Sequence, residues 1–484
     1  MISFRPILRI LGILLILIGL MMWTGLPFSW YYGTHDWQSL LFSGLISVGI
    51  GGALWWFIRI RPQDAIRKRE GYLIVALGWL TMVTFGMLPY LFSGVIPTVP
   101  EALFETVSGM TTTGASVLTD IEAQPEGILY WRSLTQWIGG MGIIVLTVAI
   151  FPLLGIGGIE LFVAEAPGPT SDKLHPRISE TAKRLWLIYV GLTGLLMLLL
   201  FLEGMTPYEA INHAFTTMAT GGFSTRNASM AAFDIPYIQY TIIVFMFLAG
   251  TNYTVIYFGL KGRMKRVWAS EEFRAYLMLV LLLTVVVAVQ VQHHTDNDWE
   301  RSFRDSAFQV VSLITTTGFV SADYTSWSGG LTLLFFIILF IGASAGSTSG
   351  GIKIIRHLVF FKNSFLEFKR IIHPRAIVPL KLNGERVRGK IITHIIIFLL
   401  LYMILFVLGS LVLAWMGLDF MTAIGAVATS LGNVGPGIGN VGPVDNFAWL
   451  PPGAKVFLSL LMLLGRLELF TILVLFTPYF WKTN

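Results

Sequence analysis

Four stretches of the sequence share an oxygen-rich ending: EALFETVSGMTTTG (101–114), EAINHAFTTMATGG (209–222), DSAFQVVSLITTTG (305–318) and TAIGAVATSLGNVG (422–435). Each opens with a residue suited to capping a helix, Glu101, Glu209, Asp305 or Thr422, thirteen positions before a glycine. A short apolar half-helix follows, and then hydroxyl or small residues. Thr is β-branched and Gly is flexible, so these endings are poor helix material. They suit extended backbone with bare carbonyls. In lipid a bare carbonyl costs several kcal/mol and is tolerated only where protein or water meets it. Four such segments around an axis would present oxygens in place of a cation's hydration shell. The half-helices would add the partial negative charge of their C-termini. One copy alone reads as a capped surface helix with a glycine stop. Four copies at one spacing point to a shared task. In the fourth, Gly432 lies thirteen residues after Asp419 and offers a competing register.

Other chemistries are poorly supplied. The chain has no cysteine, which excludes disulfides and thiolate metal sites. Its eight histidines are scattered, and the one adjacent pair, His293–His294, has no evident third ligand nearby. There is no HExxH motif and no pair of intramembrane carboxylates, so no enzyme is expected. No GxxxxGK[ST] loop is present, so any nucleotide dependence must come from another chain, and no organic cofactor is expected in this one.

The elements that position these segments are membrane helices. The 484 residues are 55% hydrophobic and 12% charged, with a mean hydropathy of +0.73, whereas soluble domains carry about 25% charged residues. Apolar runs near 7–24, 38–58, 73–93, 133–154, 185–202, 236–260, 275–292, 331–355, 391–416 and 454–476 approach the roughly 20 residues that a bilayer needs. The first follows Arg5 and Arg9 like a signal peptide but lacks a small-x-small cleavage site, so it is expected to remain as an anchor. With the N-terminus inside, segments 59–70, 153–184, 261–274 and 353–390 hold 5, 4, 5 and 10 Lys plus Arg. The alternate loops hold only Arg226, Arg301 and Arg304. This is the positive-inside bias at every crossing. It accounts for the net charge of +6 without nucleic acid. The four oxygen-rich segments all fall on the external side, each between two spans, as a repeated helix, half-helix, glycine loop and helix.

TTTGAS (111–116), TGGFST (220–225), TTTGFV (315–320) and GNVGPG (432–437) together resemble the four pore loops of TrkH-type bacterial potassium transporters. These belong to the superfamily that also holds the KtrB and plant HKT proteins. The resemblance extends to WIGGMGIIVL (137–146), GASAGSTSGGIKIIR (342–356), HPR (373–375) and GRLELFTILVLFTP (465–478). It implies an all-α polytopic membrane protein with two N-terminal transmembrane helices and four potassium-channel-like M1–P–M2 repeats around a pseudo-four-fold pore. The expected units are 1–70 for the leading helices, then repeats at 71–158, 159–262, 263–362 and 363–484. A basic cytoplasmic loop precedes the last repeat. The resemblance also implies a homodimer and a TrkA-like cytoplasmic nucleotide-binding ring subunit.

Carried over by residue, Gly114, Gly222, Gly318 and Gly435 match the four filter glycines. Thr112, Thr113, Ala219, Thr220, Gly221, Thr316, Thr317, Asn433 and Val434 precede them, and their carbonyls or hydroxyls would hold K+. Relatives with serine at the first glycine take sodium as a major substrate, so Gly114 points to potassium, with Rb+ also passing. GASAGSTSGG (342–351), with Gly342, Gly346, Ser347, Thr348, Ser349, Gly350 and Gly351, cannot hold a rigid helix, since each interior Gly costs about 1 kcal/mol. Close helix packing through small residues is one reading; the family uses this stretch as an intramembrane gate. Arg466 inside an apolar run costs at least ~2.5 kcal/mol unless it faces protein or water. It reads as a structural pair, although Glu468 lies on another helix face, or, by resemblance, as a charge in the pore below the filter. His213 is expected to be packed or at the external mouth, and the sequon at Asn227 to be a chance match.

The function these readings imply is potassium uptake across a bacterial inner membrane, gated by a cytoplasmic partner that docks on the basic loop 353–390, which also suits anionic lipid headgroups. The alternative is a cation secondary transporter with proton or sodium coupling. That class favours inverted repeats and an intramembrane acid at a coupling site. Here the repeats share one orientation and their acids sit at half-helix starts.

Overall fold

Long apolar runs must satisfy their own backbone in lipid, and this chain does so with helices. The computed structural model describes residues 3–59, 68–142, 178–376 and 378–482. Among them the only sheet is a two-stranded hairpin, Lys381–Leu382 with Glu385–Arg386. Among the described residues six helices are long and apolar enough to cross a membrane: Phe4–Tyr32, Trp37–Phe57, Arg69–Ser93, Lys183–Leu202, Glu271–His294 and Gly389–Trp415. Their outer faces carry exposed apolar side chains such as Leu281, Leu282, Val285, Leu400 and Val407, as a lipid-facing surface requires. The chain is a multi-pass membrane protein.

The first two spans pack closely because glycines let their backbones meet. A Cβ added at Gly12 would lie 2.8 Å from the carbonyl oxygen of Gly51, and one at Gly19 would lie 2.7 Å from that of Gly44. Small residues at such crossings are the usual membrane solution, since apolar side chains gain nothing there over lipid.

The other described residues repeat the order helix, short helix, loop and helix four times. The outer helices are Lys68–Gly86, Ile178–Leu202, Glu271–His294 and Gly389–Trp415. Each is followed by a pore helix: Val99–Met110, Pro207–Met218, Trp299–Ile314 or Phe420–Gly432. Their N-caps correct the sequence reading. Thr98, Thr206, Asp298 and Asp419 occupy the cap positions, while Glu101, Glu209 and Thr422 lie three residues further on and Asp305 is well inside its helix. Glu209 forms a reciprocal capping box with Thr206, so its carboxylate serves the helix start from the third position.

Each pore helix leads to a short inner helix: Glu126–Trp137, Pro236–Ala249, Gly329–Ile338 or Pro452–Arg466. Runs 236–260 and 454–476 read as continuous spans in the sequence, but both are broken. The first bends by 109° before Tyr253–Leu260, and the second by 112° before Leu469–Phe476. Asn252 caps the new helix through the N–H of Thr254, and Gly250 has no room for a side chain beside Tyr276 and Thr315. At the second break Glu468 takes a φ of 59°. The third inner helix stops before the loop that leads to Ile354–Ile372. The first runs into a π-helical turn at Ile138–Gly142. Most of the expected span 133–154, and of the basic segments 59–70 and 153–184, lies outside the described residues.

The apolar core is divided. One cluster joins the leading helices with the first and fourth repeats, and a second joins the second and third repeats. A small third cluster ties Ala345, Ile355 and Val359 to Leu380, Leu382 and Ile395. Gly51→Leu should separate the leading helices and lower the melting temperature of the detergent-purified protein. Overpacking costs about 1–3 kcal/mol, more than the roughly 1 kcal/mol that leaving Gly gains in a helix. Gly52→Leu, where nothing lies within 4 Å of an added Cβ, should show only the gain.

Candidate ion pathway

All four pore helices end the same way. The next residue, Thr112, Thr220, Thr316 or Asn433, is left-handed, with φ of 54°, 53°, 56° and 54°. The following N–H then folds back onto the last turn: Thr113 to Ser108, Gly221 to Thr216 and Thr317 to Ser312 at 2.8 Å, and Val434 to Thr429 at 3.0 Å. A glycine with positive φ completes each segment: Gly114 at 84°, Gly222 at 76°, Gly318 at 77° and Gly435 at 103°. A β-branched residue in the left-handed region carries strain of roughly 1–3 kcal/mol, which persists only where the surroundings impose it. Three threonines carry it here. Asn433, a residue that tolerates this region better, takes the fourth place. Gly435 and not Gly432 therefore matches the other three, because Gly432 is the last residue of its helix.

The four segments form a closed ring. A Cβ on Gly114 would lie 2.2 Å from the carbonyl oxygen of Gly221, on Gly222 2.0 Å from that of Thr317, on Gly318 2.0 Å from that of Val434, and on Gly435 2.7 Å from that of Thr113. Each glycine abuts the next repeat's carbonyl, in the order first, second, third, fourth and back to first. No side chain fits at any of the four positions.

The oxygens divide by role. The hydroxyls of Thr113 and Thr317 pair with those of Thr111 and Thr315 at 2.7 and 2.8 Å, so they brace the loops. Asn433 Nδ2 donates to Thr113 Oγ1 at 3.0 Å and to the carbonyl of Met462 at 2.9 Å, joining the fourth repeat to the first. Thr112 Oγ1 and Asn433 Oδ1 are buried without a partner among the described residues. The carbonyls of Thr112, Thr113, Thr220, Thr316, Thr317, Asn433 and Val434 accept no hydrogen bond from the described protein. Buried oxygens of this kind are met by water or an ion. Ala219 differs: its carbonyl accepts the hydroxyl of Thr220 at 2.6 Å.

Two residues of the first inner helix hold the ring from behind, and the sequence reading missed both. Gln136 brackets the second segment, donating to the carbonyl of Gly221 at 2.6 Å and accepting from the N–H of Phe223 at 3.0 Å. Arg132, buried, pairs with Glu105 at 2.6 Å, donates to the carbonyl of Ser224 and lies 3.5 Å from the centre of the Phe223 ring. Glu105 also accepts from Ser116 Oγ and the N–H of Val117. The signal was a pair of polar residues four apart on one face of an apolar helix. His213 is buried, with Nδ1 at 2.8 Å from the carbonyl of Glu209 and Nε2 at 2.9 Å from Ser224 Oγ. Asn227 accepts from the N–H of Ile121 and donates to Asp120 at 3.0 Å, tying two loops together.

Directly beside the ring runs the small-residue loop. The N–H of Gly350 donates to Thr316 Oγ1 at 2.6 Å, and a Cβ there would lie 2.6 Å from the carbonyl of Gly432. Thr348 Oγ1 donates to the carbonyls of Met218 at 3.0 Å and Ala249 at 3.2 Å. Gly346, with φ of 70°, accepts from the N–H of Tyr253, Gly342 donates to Ile352, and Gly351 has φ of 66°. Ser347 and Ser349 share a 2.8 Å hydroxyl contact. Residues 342–346 fit the G-x-S-x-G pattern of hydrolases, but no strand precedes them and Ser344 Oγ is buried without a partner, so the nucleophile's context is missing. Arg466 reaches the loop from the fourth repeat, donating to the carbonyl of Thr348 at 2.8 Å and to Gly139 and Gly140 of the first repeat at 2.8 and 3.0 Å. Glu468 turns away and pairs with Arg356.

Gly318→Ala tests the ring. The added methyl would meet the Val434 carbonyl, so cation uptake by vesicles holding the protein should fall more than about ten-fold, the change that roughly 1.4 kcal/mol produces. Gly329→Ala, with nothing within 4 Å of the new Cβ, should leave uptake unchanged.

Comparison with known proteins places this arrangement. Residues 38–482 match the family described as "TrkH: Cation transport protein". The chain is 43% identical to the Trk system potassium uptake protein TrkH of Salmonella typhimurium and 42% identical to that of Escherichia coli K12, with 99% of each chain covered. It is 34% identical to the Trk system potassium uptake protein TrkI of Halomonas elongata, covering 99% of this chain and 97% of that one. The crystal structure of the potassium transporter TrkH from Vibrio parahaemolyticus superposes with a TM-score of 0.88 at 37% identity, covering 99% of this chain and 100% of that one. The chain belongs to the TrkH family of cation transport proteins.

Proposed function

We propose that this chain is the ion-conducting subunit of a potassium uptake system in a bacterial inner membrane, with its N-terminus cytoplasmic. The closed ring of carbonyls against glycines carries the reading, because uncovered oxygens converging from four repeats suit a dehydrated monovalent cation. Thr112–Gly114, Thr220–Gly222, Thr316–Gly318 and Asn433–Gly435 act as its selectivity filter, and Rb+ passes with K+. The repeats run over 71–158, 159–262, 263–362 and 363–484. The names of the relatives support potassium as the transported ion.

Loop 342–351 and Arg466 form the gate. The loop reaches from the second repeat to the fourth segment, and the guanidinium joins it to the first repeat, so together they close the path below the ring. A resident positive charge also repels a cation arriving from the filter. A TrkA-like nucleotide-binding ring subunit, docked on the basic segment 353–390 of a homodimer, displaces both.

The test is uptake of rubidium-86 against sodium-22 into potassium-loaded liposomes. Wild type should take up rubidium, with potassium competing and sodium excluded. Gly114→Ser, which presses on the Gly221 carbonyl, should lower rubidium uptake and admit sodium in what flux remains. An unchanged rubidium-to-sodium ratio in Gly114→Ser overturns the filter assignment. Absence of all cation flux with a cytoplasmic partner present overturns the channel. Arg466→Ala should raise rubidium flux several-fold in the absence of a partner; flux equal to or below wild type removes Arg466 from the gate.

A further inference from the structure

On the external side the ring opens into a cavity of about 200 Å³ that has Gly114, Gly222, Gly318 and Gly435 in its lining. One water needs only about 10–15 Å³ of such volume, so a hydrated cation fits. Three charged side chains reach its wall: Arg132, Arg226 and Asp445. The two cations are already matched. Arg132 pairs with Glu105. Arg226 Nε donates to Glu209 at 3.0 Å, and its Nη1 lies 3.5 Å from Glu122; the hydrogen bond to Glu209 raises the guanidinium pKa further.

Asp445 is different. It is exposed in the turn that leads to Phe447, and its Oδ2 accepts only the N–H of Gly442, at 3.2 Å. Among the described residues no Lys or Arg forms an ion pair with it. The surrounding field has the same sign. External segments 25–37, 94–130, 205–235, 293–330 and 417–453 hold 15 Asp and Glu against 3 Arg. The wall cations Arg132 and Arg226 are spent on Glu105 and on Glu209 and Glu122, and Lys455 is spent on Glu101. The wall carboxylate thus keeps an uncompensated charge above the ring.

We propose that Asp445 is the capture residue for external monovalent cations: its carboxylate holds a hydrated cation in the cavity before the ring strips its water. The proposal rests on the reading of the ring as a selectivity filter. A charge in a low-dielectric recess focuses the field and raises local cation concentration. Such an effect governs entry when cation is scarce and fades as salt screens it, with a Debye length of about 8 Å at physiological ionic strength.

The experiment is rubidium-86 uptake against external rubidium concentration, in proteoliposomes holding the full chain with its regulatory partner where flux requires one. Wild type, Asp445→Asn, Asp445→Glu and Asp445→Lys are compared in sucrose and in choline chloride. In sucrose, Asp445→Asn should raise the half-saturating concentration about three-fold or more, with the loss confined to sub-saturating concentrations. Asp445→Lys should raise it further, and Asp445→Glu should restore it. High choline chloride should shrink all these differences. Equal half-saturation for wild type and Asp445→Asn in sucrose overturns the proposal, as does a shift that salt leaves undiminished, since damage to the turn would not be screened. The rubidium-to-sodium ratio is the separate readout of the filter. Asp445 variants should keep it, so a failure here leaves the filter reading standing, and an unchanged ratio in Gly114→Ser removes that reading whatever Asp445 does.

Discussion

The constraint on which the rest depends is the absence of room for a Cβ between each ring glycine and the carbonyl of the next repeat. With clearances of 2.0–2.7 Å to a hypothetical Cβ, the four segments must arrive at one level and in one conformation. That explains why four different sequences share a left-handed residue and an N–H folded back by five positions. It also accounts for the strained threonines. A left-handed Thr is unfavourable by itself, yet it lets the chain leave the helix abruptly while the next N–H stays satisfied, so only carbonyls are left bare. Pore helices of 12, 12, 16 and 13 residues reach that level from different caps. The third is longest, and its N-terminus simply begins further out.

A ring held only by its own contacts would spread, because bare carbonyls repel one another when no cation is present. The Glu105–Arg132 pair and the Gln136 amide counter this by anchoring the first and second segments to an inner helix. Burying two charges costs several kcal/mol per ion before pairing. Here the desolvation is offset by geometry: Glu105 accepts from Arg132, Ser116 and Val117, and Arg132 also meets a carbonyl and an aromatic face. Such a pair is weak as a source of stability but strong as a constraint, since losing one partner strands the other charge.

Much of this was legible in the sequence, and the exceptions have physical causes. Composition determines the solvent, because it follows from transfer energies that single residues carry. The glycine spacing located the ring because a forbidden Cβ leaves its mark on residue type. The caps were misplaced: Glu101, Glu209 and Thr422 lie at the third helical position, and for Glu209, which closes a capping box with Thr206, sequence alone does not separate a cap from its reciprocal partner. The breaks at Gly250–Asn252 and Glu468 were read as continuous helix. Hydropathy averages over a window, whereas a break needs only a few residues whose backbone groups find partners elsewhere. Arg132 and Gln136 left only a weak trace, two polar residues four apart on one helix face, whose meaning depends on distant partners.

The four repeats are similar in backbone and unlike in side chain, and that difference is what a single chain permits. In a symmetric tetramer every substitution appears four times. Four copies of Arg466 would bring four guanidiniums to one axis, each costing at least ~2.5 kcal/mol at membrane depth and repelling the others. Here one arginine from the fourth repeat finds three carbonyls, on Thr348, Gly139 and Gly140, that belong to the third and first. Likewise four copies of loop 342–351 could not occupy the space that one fills between Met218, Thr316 and Gly432. Asn433 completes the pattern: its amide reaches Thr113 and Met462, bonds that a threonine in that place lacks the donors to make. Fusion of the repeats therefore separates two demands that conflict under exact symmetry. The ring needs four like contributions, and the loop and arginine packed beside it are needed once each.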